Sequence, residues 1–455
     1  MTRNFERKRR MIVTLAMSLI MIVTFMFAGT GSVWADTASK SWLTGGQCGY
    51  KGDQVEWNFY DNGELIISGE GKMGNEDGDF SLPGLGGFGD PAPWFIYITD
   101  PDMITKITIG EGITSTGSFA FYKLEKVTTV VLPKTLEEIG FEAFSGMDGL
   151  KYVKIPEGVT KMQNGSFTDC HNLETLELPS TLTYLGQIWY TNLKTVSIPG
   201  SVRLIVPNLL HGNLIEEIYF NEGTEKIGEH ITSNDPALKL VSIPRSVTEI
   251  DDEAFFDING EMDLTIEGYK YSAAYDFAKK NGFKFKYIVE DFTDDAEFTA
   301  SKSKVYTGKA IKPSVKVTYL GHKLKKNTDY TVTYKNNKKI GNAKIIIKGK
   351  DAFKGTKTLT FKIKPAKVTD LKLTADRNAL NVEYGKVDGG VKYQIYYKVK
   401  GTSSWKKTTA KGTEKTIGKL KKGKTYQVKV RAFKKVNGTT YYGAWSSTKT
   451  KKVKG

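Results

Sequence analysis

The side chains best suited to hold a metal or run a reaction are few in this 455-residue chain, and none stands in a working pattern. No second histidine or cysteine stands three or four places after His171, His211, His230 or His322, so a zinc-type site is not expected. A solvent-facing or hydrogen-bonded imidazole is the simpler reading of all four. Cys170-His171 sets a thiol beside an imidazole, but its neighbours supply nothing to lower the thiol pKa. Gly84-Leu85-Gly86-Gly87-Phe88-Gly89 spells a phosphate-binding fingerprint. It follows Pro83 instead of a strand and precedes Asp90-Pro91 instead of a helix, so the geometry that cradles a phosphate is missing. Asn75-Glu76-Asp77-Gly78-Asp79 offers hard oxygens to calcium without the loop length or closing glutamate of a calcium hand. Asp251-Asp252 sits in a turn with no cleft for hydrolytic work. No catalytic residue, cofactor or metal is expected, and the chain reads as a non-enzyme.

What would position any functional surface is a repeat. From Met103 to Phe255 a marker residue recurs as Gly110, Pro133, Pro156, Pro179, Pro199, Asn221 and Pro244, at steps of 23, 23, 23, 20, 22 and 23 residues. A fixed period of this size marks a solenoid, in which each turn touches only its neighbours. One and three places before each marker the side chain is apolar, as in Val130 and Leu132 or Val153 and Ile155. That alternation is a short strand with one buried face. Proline then ends the strand, having no N–H for the ladder. Apolar residues follow three and six places later (Leu136 and Ile139, Val159 and Met162), and a small-aromatic pair ten and eleven places later: Ala120-Phe121, Ala143-Phe144, Ser166-Phe167 and Ala254-Phe255. Trp189-Tyr190, Leu209-Leu210 and Ile231-Thr232 replace that pair in the middle, where distorted turns are expected.

Leu132-Pro133-Lys134-Thr135-Leu136-Glu137-Glu138-Ile139-Gly140 with Ala143-Phe144 resembles the BspA-like leucine-rich repeat of bacterial surface proteins. The resemblance implies a solenoid over residues 101–290 that includes its C-terminal cap, adhesion to host or neighbouring cells as a function, and a buried cysteine at Cys170.

Solenoid ends expose apolar surface and need covers. Residues 36–100 read as the N-terminal cover. Val55, Trp57 and Phe59 alternate, Asp61-Asn62-Gly63 turns, and Leu65 and Ile67 alternate again. Cys48-Gly49, Trp57, Gly63 and Pro93-Trp94 are similar to the segment that precedes these repeats in the family, and Gly74 to Pro91 is expected to be a mobile loop. At the far end a strand at Leu264 to Ile266, a helix capped by Ser272 and stopped by Gly282, and a strand at Phe283 to Ile288 are expected. Residues 1–35 read as a signal peptide: a basic start, an apolar run from Met11 to Ala28, and a small-residue cleavage site after Ala35. An uncleaved anchor is the alternative, and either places the rest outside the cytoplasm. Two cysteines make no disulfide framework, and spacing does not say whether Cys48 and Cys170 pair.

After a short acidic linker, Asp291 to Asp295, the composition changes. Residues 293–455 hold 41 Lys and Arg against 10 Asp and Glu, whereas the whole chain nets +16, so the preceding part is acidic. Asp329-Tyr330-Thr331-Val332-Thr333-Tyr334, with Gly341-Asn342-Ala343, resembles an Ig-like β-sandwich over 293–364. Leu380 to Tyr384, Tyr393 to Tyr397 and Tyr426 to Ala432 resemble fibronectin type III strands over 365–455, with Tyr426 as the corner tyrosine. The expected fold is therefore multidomain and mainly β: a capped leucine-rich-repeat solenoid followed by two β-sandwiches.

The outward strand positions form the candidate partner-binding face: Lys106, Thr129, Tyr152, Lys154, Thr175, Glu177, Thr195, Glu217 and Tyr219. Stacked turns make a long open face suited to a protein or glycan, with Tyr152 and Tyr219 as aromatic anchors. A solvated face of strand-forming residues is the plainer alternative. The basic tail suits anionic cell-wall polymers or simple solubilisation, and nucleic acid is not expected. The expected protein is a secreted or cell-surface adhesin whose tail serves as spacer and attachment. The alternatives are a glycan-binding accessory protein acting through the fibronectin-like module and an unrecognised extracellular enzyme. The final Lys451-Lys452-Val453-Lys454-Gly455 reads as neither a hydrophobic anchor nor a sorting signal.

Overall fold

The computed structural model describes residues 40–75, 79–81, 90–233, 235–255 and 263–454. The leader read over 1–35, the glycine fingerprint at 84–89 and Glu76 to Gly78 lie outside the described residues.

The alternating apolar positions form the strands they predict. Lys106–Ile109, Thr129–Val131, Tyr152–Lys154, Thr175–Glu177, Thr195–Ile198, Glu217–Phe220 and Leu240–Ser242 make a first ladder, paired in parallel in three groups, as in Lys106↔Thr129, Tyr152↔Thr175 and Glu217↔Leu240. Ile107, Val153, Val196, Ile218 and Val241 point inward and are buried. A second parallel ladder, not anticipated from the sequence, passes through Glu138–Ile139, Lys161–Met162 and Tyr184–Leu185, then through Leu204–Ile205, Lys226–Ile227 and Glu249–Ile250. Apart from Ile113–Ser115, which opens it, each of its strands spans only two residues, too few for alternation to show.

Between the ladders the small-aromatic pairs stack. Trp94 lies on Phe121 at 5.2 Å, Phe121 on Phe144 at 5.2 Å, and Phe144 on Phe167 at 5.1 Å, with interplanar angles of 10°, 16° and 11°. All four rings are fully buried, and the Trp94 indole N–H donates to the Ala120 carbonyl at 2.7 Å. A buried indole requires such a partner.

Successive turns are also tied in doublets. Gly112, Gly158 and Gly223 have φ of 103°, 118° and 118°. Their N–H groups donate to the hydroxyls of Thr135 (2.9 Å), Thr181 (3.1 Å) and Ser246 (2.8 Å), one turn on. The preceding Glu111 and Glu157 accept from the backbone N–H of Lys134 and Ser180. A Glu-Gly turn thus clamps a Thr- or Ser-bearing turn. Ser201 breaks the rule, because the turn before it carries Ser180-Thr181, and its buried hydroxyl has no partner among the described residues. Here the repeat shortens to 20 residues, and both ladders are interrupted.

The covers form as expected. Gln54–Tyr60 and Glu64–Lys72 pair antiparallel around Gly63 (φ 76°), and Glu64–Lys72 runs parallel to Lys106–Ile109 before reaching the second ladder at Gly71↔Ile113. Glu64 is buried at this seam, accepting from Lys40 (2.7 Å), Lys106 (2.8 Å) and Thr108 (2.7 Å). Burial raises its pKa, but these donors outweigh it and hold the carboxyl down at about 2. At the far end Ser272 accepts from the Tyr275 N–H, Gly282 (φ 78°) stops the helix Ala273–Asn281, and Thr265–Gly268 and Lys284–Tyr287 extend the ladder.

Two further β-regions follow. The first holds Ala296–Ala300 paired with Val315–Tyr319, and a four-stranded sheet of Ser303–Val305, Thr356–Lys364, Gly341–Gly349 and Tyr330–Lys335. The second has a three-stranded and a five-stranded sheet around Leu380, Val382, Ile395, Val428 and Val430. The acidic stretch joining the first region to the solenoid is more than a tether. Glu290–Asp291 pairs with Phe353–Lys354, and Phe292 is fully buried against Phe298 and Phe353.

Two outcomes are expected. Phe144→Ala removes the middle of the stack and should cost about 3–5 kcal/mol of solenoid stability, read from denaturant unfolding followed by tryptophan fluorescence. Glu64→Gln should destabilise at neutral pH. Because the folded pKa is depressed, the wild-type advantage is present above the ordinary value of 4.5 and lost as pH falls toward about 2. Thermal unfolding of both proteins across that range checks it; a gap of equal size at pH about 3 and 7 contradicts the assignment.

Candidate partner-binding face

The face is a product of strand alternation: inward side chains fill the interior, and every second residue faces out. All nine candidate residues occupy outward positions of the first ladder. Lys106 is half-buried at the seam with the N-terminal cover, held by Glu64. Thr129 is exposed on the next strand. Tyr152, Lys154, Thr175 and Glu177 form one group. Tyr152 is 52% exposed and donates its hydroxyl to Glu177 at 3.0 Å, and Lys154 meets the other oxygen of Glu177 at 3.2 Å. Desolvation and the Glu177 carboxylate push the Tyr152 phenol up. Thr195 lies opposite Glu217 in a second group, where Tyr219 is half-buried and donates to Glu217 at 2.6 Å. Burial, then this bond, raise the Tyr219 phenol to about 12.

The ladder does not bring all nine together as one surface. The strands pair as Lys106–Ile109 with Thr129–Val131, as Tyr152–Lys154 with Thr175–Glu177, and as an unbroken run from Thr195–Ile198 onward. Acidic centres with hydrogen-bond donors on them stand in or beside these groups, among them Glu64, Glu177 and Glu217. Of the two tyrosine anchors, Tyr152 stands out from the wall while Tyr219 lies along it.

The reactive groups weighed from sequence take structural places. Cys48 and Cys170 are buried, free thiols, each pushed up to about 12 by burial. The Cys170 thiol donates to the Phe144 carbonyl at 3.1 Å, which ties it to the stacked interior. His171 Nδ1 lies 2.8 Å from Asp148, His230 Nε2 lies 3.1 Å from Glu253, and His211 Nδ1 lies 3.1 Å from the Ser233 hydroxyl. In each case the partner belongs to the neighbouring turn. Asp251 accepts from the Glu253 N–H and Asp252 pairs with Lys280 at 2.5 Å, so the two carboxylates diverge. Asp79 accepts from the Ser118 N–H (2.6 Å) and hydroxyl (2.5 Å). No group of three or more His, Cys, Asp or Glu could hold a metal among the described residues, and no helix among them is long and apolar enough to cross a membrane.

The family-model comparison agrees with the repeat geometry. The family model for the BspA type leucine rich repeat region matches six copies over residues 100–209 and 189–281. No curated protein matches the chain. Among solved structures, a leucine-rich repeat protein from Eubacterium ventriosum is similar at 18% identity, covering 50% of this chain and 73% of that one with a TM-score of 0.24. Domains d3–d4 of the rat CD45 extracellular region match at 20% identity over 22% of this chain and 56% of that one, TM-score 0.18. The FN1–FN3 domains of chicken CNTN1 match at 14% identity over 37% and 68%, TM-score 0.20. With its period, its ladders and its aromatic stack on the same register, the segment from residue 100 to 281 is a BspA-type leucine-rich repeat region.

Proposed function

We propose that this is an exported surface or secreted protein that recognises a protein or glycan on host or neighbouring cells through the outward face of its solenoid. The observation that carries the reading is Tyr152, a large aromatic 52% exposed on an open parallel ladder and fixed by Glu177. Aromatics held in place contribute large area at little ordering cost, which suits an interface anchor. BspA-type repeats are often parts of surface proteins involved in recognition, which supports the same reading. Residues 293–364 and 365–455 are read as Ig-like and fibronectin type III modules that space the solenoid from the envelope. Their excess of 41 basic over 10 acidic residues favours retention on anionic wall polymers. Export through the leader at 1–35 is part of the proposal.

The full chain probed on arrays of matrix proteins and glycans tests it. Binding to a defined ligand is expected, with Tyr152→Ala weakening it about tenfold or more at unchanged melting temperature. Binding indifferent to Tyr152, or lost instead with substitutions in the basic tail, overturns the solenoid as the recognition element.

A further inference from the structure

The five-stranded sheet of the second C-terminal region consists of Lys406–Ala410, Lys392–Val399, Thr425–Val436, Thr439–Tyr442 and Lys449–Lys452. Its inner side is apolar, with Tyr393, Ile395, Val428, Val430 and Ala432 buried. Alternation therefore turns Gln394 and Tyr396 outward on one strand, opposite Arg431 and Lys429 on the next.

On this outer side rings and cations alternate. Lys429 Nζ lies 4.5 Å from the Trp405 ring centre and 4.8 Å from that of Trp445. The Arg431 guanidinium carbon lies 4.3 Å from Trp445 and 3.8 Å from Tyr442. The row reads Trp405, Lys429, Trp445, Arg431, Tyr442, and Tyr396 packs against Trp445 at 4.7 Å. Arg431 is further fixed by Nε and Nη2 hydrogen bonds to Gln394 at 2.9 and 2.7 Å.

These rings hold the cations but do not neutralise them. The five strands carry eleven lysines and arginines and no aspartate or glutamate. The opposing sheet differs, with Asp376, Glu383 and Glu414 against Lys372 and Lys415. Lys429 and Arg431 stand two residues apart on one strand, so their charges repeat at roughly 6.6 Å. Both are pre-ordered, which lowers the entropy lost when an anion arrives.

The geometry points to this row as a binding site for an acidic polysaccharide, whose carboxylates or phosphates meet Lys429 and Arg431 while its sugars lie along the edges of the rings. This rests on reading the basic regions as the attachment part of the molecule and narrows attachment to one face. A nucleic acid fits less well. Base stacking needs open ring faces, and here Trp445 already carries two cations, Lys429 at 4.8 Å and Arg431 at 4.3 Å from its ring centre.

Affinity electrophoresis of the full chain in gels containing polygalacturonate, a phosphorylated polysaccharide or uncharged dextran, at about 0.15 M salt, tests the site. Retardation by one or both acidic polymers and none by dextran is expected, and the preferred polymer distinguishes carboxylate from phosphate. Lys429→Gln with Arg431→Gln should weaken retardation about tenfold, whereas Lys449→Gln with Lys452→Gln, which removes equal charge at the sheet edge, should change it less than about twofold. Lys429→Met, which keeps the packed stem, should reproduce most of the loss should the double variant fold poorly. Equal losses from the two double variants overturn the site but leave charge-based attachment standing. Failure to bind either acidic polymer overturns both. A single-stranded oligonucleotide bound through the row as tightly as the better polymer overturns the assignment to a polysaccharide.

Discussion

One turn of this solenoid cannot stand alone. It offers two short strands and a single aromatic to the interior, far less apolar area than offsets the entropy of ordering some twenty residues. Stability comes only when the next turn lays its phenylalanine on the last, as Phe121, Phe144 and Phe167 do at spacings of 5.2 and 5.1 Å. The covers answer the same constraint. Trp94 continues the stack at one end, and Phe277 meets Phe255 at 5.9 Å at the other. Everything that faces outward is positioned by what is stacked inside.

That constraint explains what was legible in the sequence. The apolar pairs before each proline and the Ala-Phe pairs after it recur at a fixed register, and buried positions cannot drift without losing contacts. The hairpin at Asp61-Asn62-Gly63 and the helix between Ser272 and Gly282 were equally readable, because turn and cap chemistry are local. The second ladder was not, since its two-residue strands leave no periodicity. The Glu-Gly to Thr or Ser clamp could have been found. Glu111-Gly112, Glu157-Gly158 and Glu222-Gly223 alternate with Thr135, Thr181 and Ser246 along the chain. The signal needs comparison of every second turn, because the bond joins residues about 23 places apart.

The candidate face was legible as a set of outward positions but not as a surface. Alternation says which side Tyr152 and Tyr219 take; it does not say that one stands clear while the other lies on its own strand's Glu217. Nor does it reveal that the ladder is interrupted between Val131 and Tyr152 and between Glu177 and Thr195. The Trp405 to Tyr442 row was missed for a related reason. Its members come from four segments, and only strand pairing brings them into line. The absence of acidic residues from Lys415 to Gly455 was visible all along and is the clue that a search by charge would have met.

The joint between the acidic and basic parts bears on how both faces are presented. Opposite net charges would pull the tail onto the solenoid in many orientations, an attraction that physiological salt largely screens beyond about 8 Å. The pairs observed at the joint run the other way. Lys270 of the solenoid end binds Asp329 of the basic region, a carboxylate 1% exposed that also accepts from the Lys325 N–H at 2.6 Å. Arg245 holds Glu290 through 2.7 and 2.8 Å contacts, Tyr319 donates to the same glutamate at 2.7 Å, and His322 stacks on Tyr271 at 4.3 Å. In the Lys270–Asp329 pair a cation of the acidic part meets an anion of the basic part, and Glu290, held by Arg245, takes the Tyr319 hydroxyl across the joint, so the diffuse attraction cannot substitute for these single addresses. Buried pairs of this kind add little net stability but penalise every misaligned arrangement that leaves one charge unmatched. The contacts at the joint therefore favour one orientation over those that leave a charge unmatched.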